Sequence, residues 1–425
     1  METKTSTTEV SNQKMSSLIV ANKLAYHVPA SISLYNSRQN INYPSQNNRY
    51  GPSETVIVHL SNSDIFVNGA TSYLRFKVRA GRVLQPGESL STGEYGSAAG
   101  IISRVRYIHS SGIELCHNQD VNYYSALVDH AQEDLHFWKN MAPLMGYGAV
   151  DPADKTVERV ELKGSDSDFT EFAIPLNKII PVFNSYDQNT LVPPMLLSGA
   201  RLEISLASAE QAFVTTGPAN AIPYEVSEVS VELDSYILSD AAFSVIEKMS
   251  SQSLIEYVYS DWEVLNSTTN VDRINMELTK SLGRATGVVL GCRDTALLSD
   301  VNFDYFRPLE EAKSVKEYQL RLNSLYMPAT PADGIQSYLS ALQYNGKHAG
   351  NYDLVDHRNA KVILQTLQRS DFLGASSGLP VNSSSSLRFQ AEFQGAVNGS
   401  RNVTMYVQHM KIVTPVLYDK CVVSV

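Results

Sequence analysis

The chain has 425 residues, 43% of them hydrophobic and only 18% charged, with 34 Lys and Arg against 44 Asp and Glu for a formal net charge of −10. The length points to two or three domains, of which two is the simplest division, and the acidic balance argues against broad binding to a phosphate backbone. So little charge leaves a polar surface of Ser, Thr, Asn, Gln and Tyr, which suits contact with other protein.

Residues 1–50 are rich in Ser, Thr, Asn and Gln and carry five Lys or Arg, far short of a polybasic arm. They read as a flexible or clamp-like extension. Its apolar pieces, Leu18–Val20 and Ile32–Leu34, either order against a neighbour or lie on their own domain. The start, METKTSTTEVSNQK, lacks the layout of a signal peptide, and no apolar run approaches the ~20 residues of a spanning helix. The sequons at Asn266, Asn382, Asn398 and Asn402 therefore read as chance.

From Thr55 the pattern has period two, as in a strand with one buried face. Val56, Val58 and Leu60 point one way; Leu74, Phe76 and Val78 alternate with Arg75, Lys77 and Arg79. The same alternation recurs at Val105 and Tyr107, at Leu202, Ile204 and Leu206, and at Val229, Val231 and Leu233. Many strands separated by Gly, Pro, Ser and Asp predict a sandwich or barrel. One helix interrupts them, with Leu135, Trp138 and Met141 at spacing three before Pro143 and Gly146, and it is expected to plug an end of the sandwich.

The second half repeats the first. TVIVHL (55–60) has a counterpart in RINMELT (273–279), and SYLRFKV in ATGVVLG. SRVRYIHSSGIELCHNQDVNYYSAL compares with EYQLRLNSLYMPATPADGIQSYLSAL, GARLEISL with SSLRFQAEF, and VSVELDSYIL with VTMYVQHMKIV. The order is preserved throughout. The expected division is an arm at 1–50, a first unit at 51–240, a linker at 241–254 with a short helix in SDAAFSVIEKMSSQS, and a second unit at 255–425. The predicted fold is all-β, two tandem eight-stranded jelly-roll β-sandwiches with few short helices. The long connections at 80–100, 145–170, 207–224, 327–352 and 370–386 are expected to be functional loops.

Residues 172–208, FAIPLNKIIPVFNSYDQNTLVPPMLLSGARLEISLAS, carry Ile174-Pro175-Leu176, then Leu191-Val192-Pro193-Pro194, then the alternating Leu202-Glu203-Ile204. Proline suits a strand start or the end of a run, since it donates nothing to a ladder. With the tandem strand order, this stretch resembles the double jelly-roll major capsid proteins of icosahedral double-stranded DNA viruses, the lineage of tectiviruses, adenovirus hexon, virophages, polinton-like viruses and giant viruses. The resemblance implies a pseudo-hexagonal homotrimer that tiles a shell beside neighbouring capsomers, penton and minor capsid proteins, with an internal membrane or core proteins holding the genome away. It implies a virion location, synthesis in the host cell interior, and no enzymatic role.

Two other readings share the fold: a tandem β-sandwich that binds or hydrolyses carbohydrate, and a single-jelly-roll capsid protein with a protruding domain. The second commonly bears a basic arm, which the first fifty residues lack. No GxSxG, HExxH, P-loop or GxGxxG is present. Cys116, Cys292 and Cys421 are widely spaced without a CxxC pair, which indicates neither a disulfide framework nor zinc and fits a reducing compartment. Cys116-His117 with His130 and His136 fits no zinc spacing. Glu161, Asp166, Asp168 and Glu171 lack the Gly and terminal Glu of a calcium loop and read as solvated. The sequence thus assigns no catalytic, cofactor-binding or metal residue.

Overall fold

The computed structural model describes residues 35–61, 64–133, 135–148, 159–186, 190–218, 220–252, 255–345, 354–359, 361–367, 378–382, 385–395, 399–416 and 420–424. Leu18–Val20, Ile32–Leu34, Asn398 and parts of the long connections lie outside these residues.

Eight principal strands make the first half: β1 (Tyr35–Pro44), β2 (Thr55–His59), β3 (Ile65–Ala80), β4 (Ile102–Ile108), β5 (Glu114–Gln119), β6 (Thr170–Pro175), β7 (Arg201–Leu206) and β8 (Tyr224–Leu238). Eight more make the second: β9 (Tyr257–Thr269), β10 (Arg273–Leu278), β11 (Leu282–Asp294), β12 (Val315–Leu322), β13 (Leu325–Ala332), β14 (Ile363–Thr366), β15 (Leu387–Phe393) and β16 (Arg401–Val416). The first half forms the sheets β1-β8-β3-β6 and β2-β7-β4-β5, the second β9-β16-β11-β14 and β10-β15-β12-β13. Each order in the second half is the first with eight added. Two such antiparallel sheets, with successive strands crossing between them except at the β4-β5 and β12-β13 hairpins, are a jelly roll.

The alternation read from sequence fixes which face is buried. Val56, Val58, Leu74, Phe76, Val78, Val105, Tyr107, Leu202, Ile204, Val231 and Leu233 are all sealed from solvent. On the outer face, Arg75 pairs with Glu171 and with Glu232 (2.9 Å), and Arg79 pairs with Glu225 (2.9 Å). Each fully buried Val, Leu or Phe contributes roughly 1.5–3 kcal/mol, whereas these surface pairs contribute at most ~1 kcal/mol. The apolar face decides the register.

The helices longer than one turn are α1 (Val121–Gln132), α2 (Leu135–Asn140), α3 (Asp240–Ser251), α4 (Gly334–Asn345) and α5 (Leu354–Asn359). Here α2 occupies the predicted helical stretch, with Phe137 and Trp138 in the core of the first roll. Joining the two rolls, α3 is capped by Ser239, whose Oγ accepts from Ala242 N–H (3.4 Å), with Asp240 in its first turn and Lys248 in its last.

Residues 35–50 differ from the expected arm. Tyr35–Pro44 pairs with β8 along its length, placing Ile41 opposite Leu233 and Tyr43 opposite Val231. It is an edge strand whose outward residues are Asn, Gln, Ser and Arg, so its composition imitates a tail. Arg38 anchors it through a bidentate pair with buried Asp234 (2.8 Å to each oxygen).

The second roll has its own interior core of Ile274, Met276, Leu320, Phe389 and Met405. Its β9-β16-β11-β14 sheet turns the opposite face to the first roll, where Tyr257, Tyr259, Trp262, Val289, Leu364 and Tyr406 join the first roll's core. This sheet is buried on both sides, so β11 reads Val288-Val289-Leu290 without a polar face.

Candidate functional site at the junction of the two rolls

The residues that might suggest a metal do not converge. Cys116 and His117 are neighbours on β5 and point to opposite faces: the thiol is buried and pushed up by that burial, and His117 faces Glu114 (3.6 Å) at the surface. His130 packs among the rings of Tyr95, Trp138 and Tyr147 (5.1, 5.0 and 5.7 Å), and burial lowers its pKa to about 4. His136 is exposed on α2. Asp166 is exposed in a turn and Asp168 in the segment that follows it, Glu161 lies on the short strand Glu161–Leu162, and Glu171 is tied to Arg75. Among the described residues, no group of three or more His, Cys, Asp or Glu could hold a metal ion.

Of the sequons, Asn266 donates to Asp120 (2.7 Å), and Asn402 accepts from Arg293 (3.1 Å) inside β16. Cys292 is a buried thiol, raised to about 12 by burial. No helix among the described residues is long and apolar enough to cross a membrane.

Polar chemistry concentrates instead where the rolls meet. Seated between them, α1 stacks its Tyr124 on Trp262 of β9 (4.1 Å), and Gln408 of β16 donates to the Tyr124 hydroxyl (2.6 Å). The hydroxyls of Tyr257, Tyr259 and Tyr406 donate across the junction to the carbonyls of Val182 (2.7 Å), Leu115 (2.6 Å) and Asp120 (3.0 Å). Buried Asp261 accepts from Asn118 Nδ2 (2.7 Å), from its neighbour's Trp262 N–H (2.8 Å) and from Lys411 Nζ (2.5 Å). Burial would lower Lys411, but Asp261 outweighs it and holds the ammonium above its ordinary range. Arg293 lies over the rings of Tyr123 (3.8 Å) and Tyr305 (4.5 Å).

Glycines let the elements approach. A Cβ on Gly291 would sit 2.2 Å from the Tyr123 hydroxyl, and one on Gly287 2.4 Å from the Tyr344 ring. From the second roll, Asp304 enters the first, accepting from Tyr95 N–H (2.7 Å), and Phe306 fits against Gly96 and Gly100. These side chains escaped the sequence reading, because an aromatic that donates one hydroxyl across an interface looks in sequence like any core tyrosine. The only trace was the pair of glycines in ATGVVLG, a sign of close backbone approach within a strand. The junction is interlocked by aromatic stacking and by hydrogen bonds that run from one roll to the other.

The comparisons agree on architecture. No protein-family model matches the sequence, and no curated protein is similar to it. Solved structures are similar over nearly the whole chain. A quasi-atomic model of the PBCV-1 virus capsid matches with a TM-score of 0.63 at 13% identity, covering 95% of this chain and 99% of that one. The Faustovirus major capsid protein matches at 0.57 and 7% identity, over 95% and 98%. The mavirus major capsid protein matches at 0.54 and 10%, over 95% and 93%. The chain has the double jelly-roll fold of these viral major capsid proteins. The particular architecture is two topologically equivalent rolls, β1–β8 and β9–β16, fused through α1 and α3.

Proposed function

We propose that the chain is a major capsid protein that assembles as a pseudo-hexagonal homotrimer and tiles an icosahedral virus shell without enzymatic activity. The supporting observation is that the sheet orders of the two rolls coincide strand for strand, so three copies supply six near-equivalent units. A ring of that kind closes through heterologous contacts. The proposed units run from Tyr35 to about 240 and from 255 to 424.

Exposed apolar side chains support contact with further copies. Leu325 and Tyr326 on the edge strand β13, and Ile335 and Leu339 on α4, are 42–62% exposed. Aromatic and aliphatic residues of this kind are what association buries. Neighbouring capsomers, penton and minor capsid proteins and an internal membrane are the proposed partners, in the virion after synthesis inside the host cell. Light scattering on the purified protein is expected to give a discrete trimer. A strict monomer that assembles under no condition, partner proteins included, would contradict the proposal.

A further inference from the structure

A cluster of charge under α1 has no part in the junction. Lys178, in the single helical turn Leu176–Ile179 after β6, reaches α1 from below. Its Nζ lies 2.6 Å from Asp129 Oδ1 and 2.5 Å from Glu133 Oε1. Asp129 and Glu133 are four residues apart and so share one side of the helix. The Asp129 side chain is 1% exposed, Lys178 16% and Glu133 28%, and the Phe137 ring covers the ammonium at 4.3 Å. Opposite the lysine, Asp129 Oδ2 accepts from the Tyr147 hydroxyl (3.1 Å) and the Ser125 hydroxyl (3.4 Å).

As an ion pair alone this arrangement is a weak device. Desolvating one cation and one carboxylate so deeply costs nearly what their attraction returns, and an apolar trio of the same volume would fill the space as well. As a reaction site each part has a task. An amine held against a carboxyl carbon in a water-poor pocket is a nucleophile already in place, and well-oriented intramolecular groups reach effective molarities of about 10⁵–10⁸ M. Two hydroxyl donors on Oδ2 hold that oxygen as the one that takes up negative charge, which leaves Oδ1, beside Lys178, as the oxygen that departs. Glu133 touches the same nitrogen and can carry a proton from it to Oδ1.

We propose that Lys178 and Asp129 become joined by a side-chain amide, with Glu133 as the proton carrier. The step balances without any co-reactant. The ammonium gives one proton to the carboxyl of Asp129, and the neutral amine attacks Cγ to form the C–N bond. Glu133 takes a second proton from nitrogen and delivers it to Oδ1, the C–O bond breaks, and one water leaves. Burial would favour the neutral amine, but Asp129 and Glu133 outweigh it and raise the pKa of Lys178, so the reactive pair is a minor form and the bond follows folding slowly. The product ties the last turn of α1 to the turn after β6, across a separation of 49 residues, in the helix whose first turn meets the second roll. Such a tie would resist force on a shell without a disulfide.

The test is mass spectrometry of the full chain under denaturing conditions after incubation in the folded state. The wild type is expected one water lighter than its sequence requires, and proteolysis should give a branched peptide containing both Asp129 and Lys178. Lys178→Arg keeps the cation but cannot form this amide, and should show its full sequence mass; Glu133→Gln should do the same. Circular dichroism of each variant checks that it folds. A wild type at full mass with the two peptides separate would mean an ordinary buried ion triad and overturn the proposal. A deficit that persists in Lys178→Arg would overturn it equally, by placing the lost water elsewhere.

Discussion

Asp261 shows how much one side chain can hold. Its two oxygens satisfy Asn118 from the first roll and Lys411 and the Trp262 amide from the second. Replacing it with Ala leaves the buried Lys411 ammonium without a counter-charge, held only by the Leu115 carbonyl (3.2 Å), a loss of about 3–5 kcal/mol. Denaturant unfolding is the measurement, and Lys411→Met in the same chain should return part of the loss, because the stranded ammonium is the larger part of the cost. Buried histidines set a second residue-scale property. His130 is lowered to about 4, and His357, by burial and the neighbouring Lys361, to about 3. Folded pKa values below the unfolded value of about 6.5 mean that the unfolded chain takes up protons first as pH falls. Stability should therefore be level above pH 7 and decline below about 6.5, by up to ~1.4 kcal/mol per pH unit for each histidine. Thermal unfolding across pH 4–8 checks this, and His130→Phe should flatten the slope.

Among the elements, the strands that alternate were legible and those that do not were obscure. The five matched pairs of segments fall on β2 and β10, β3 and β11, β4–β5–α1 and β12–β13–α4, β7 and β15, and β8 and β16. The Tyr-Ser-Ala-Leu run and its variant, Tyr-Leu-Ser-Ala-Leu, lie in α1 and α4, which follow equivalent strands. These are helices, not the strand-end features that a β-rich context suggests. Edge strand β1 was hidden because its partner on one side is solvent, so polar side chains cost it nothing. Strand β11 was obscured for the opposite reason, being buried on both faces. Its Gly291 carries a prediction: Gly291→Val would drive a side chain into Tyr123 and push α1 from the sheet. Overpacking of this kind typically costs 1–3 kcal/mol, and the loss of α1 docking should also appear as faster amide exchange along 121–132.

At the scale of the whole molecule, composition excluded more than it assigned. An acidic, uncharged-polar surface disfavoured nucleic-acid coating, and the absence of motif spacings left chemistry without an address. Duplication carried the architecture, because its order extends over both rolls while each local match is short. The interlocked junction lay beyond reach: which face of β9, β11 and β16 meets α1 depends on how two finished rolls dock, and no local period encodes that. The consequence of the junction is rigidity, which the proposed ring requires, because a unit that supplied two of its six positions would need those two held at one angle. Electron microscopy of the purified oligomer tests this most directly. The expected image is a three-fold particle with six similar densities, two per chain in fixed relation. Particles with one roll per chain in the ring and the second projecting from it would rule out a ring of six equivalent rolls.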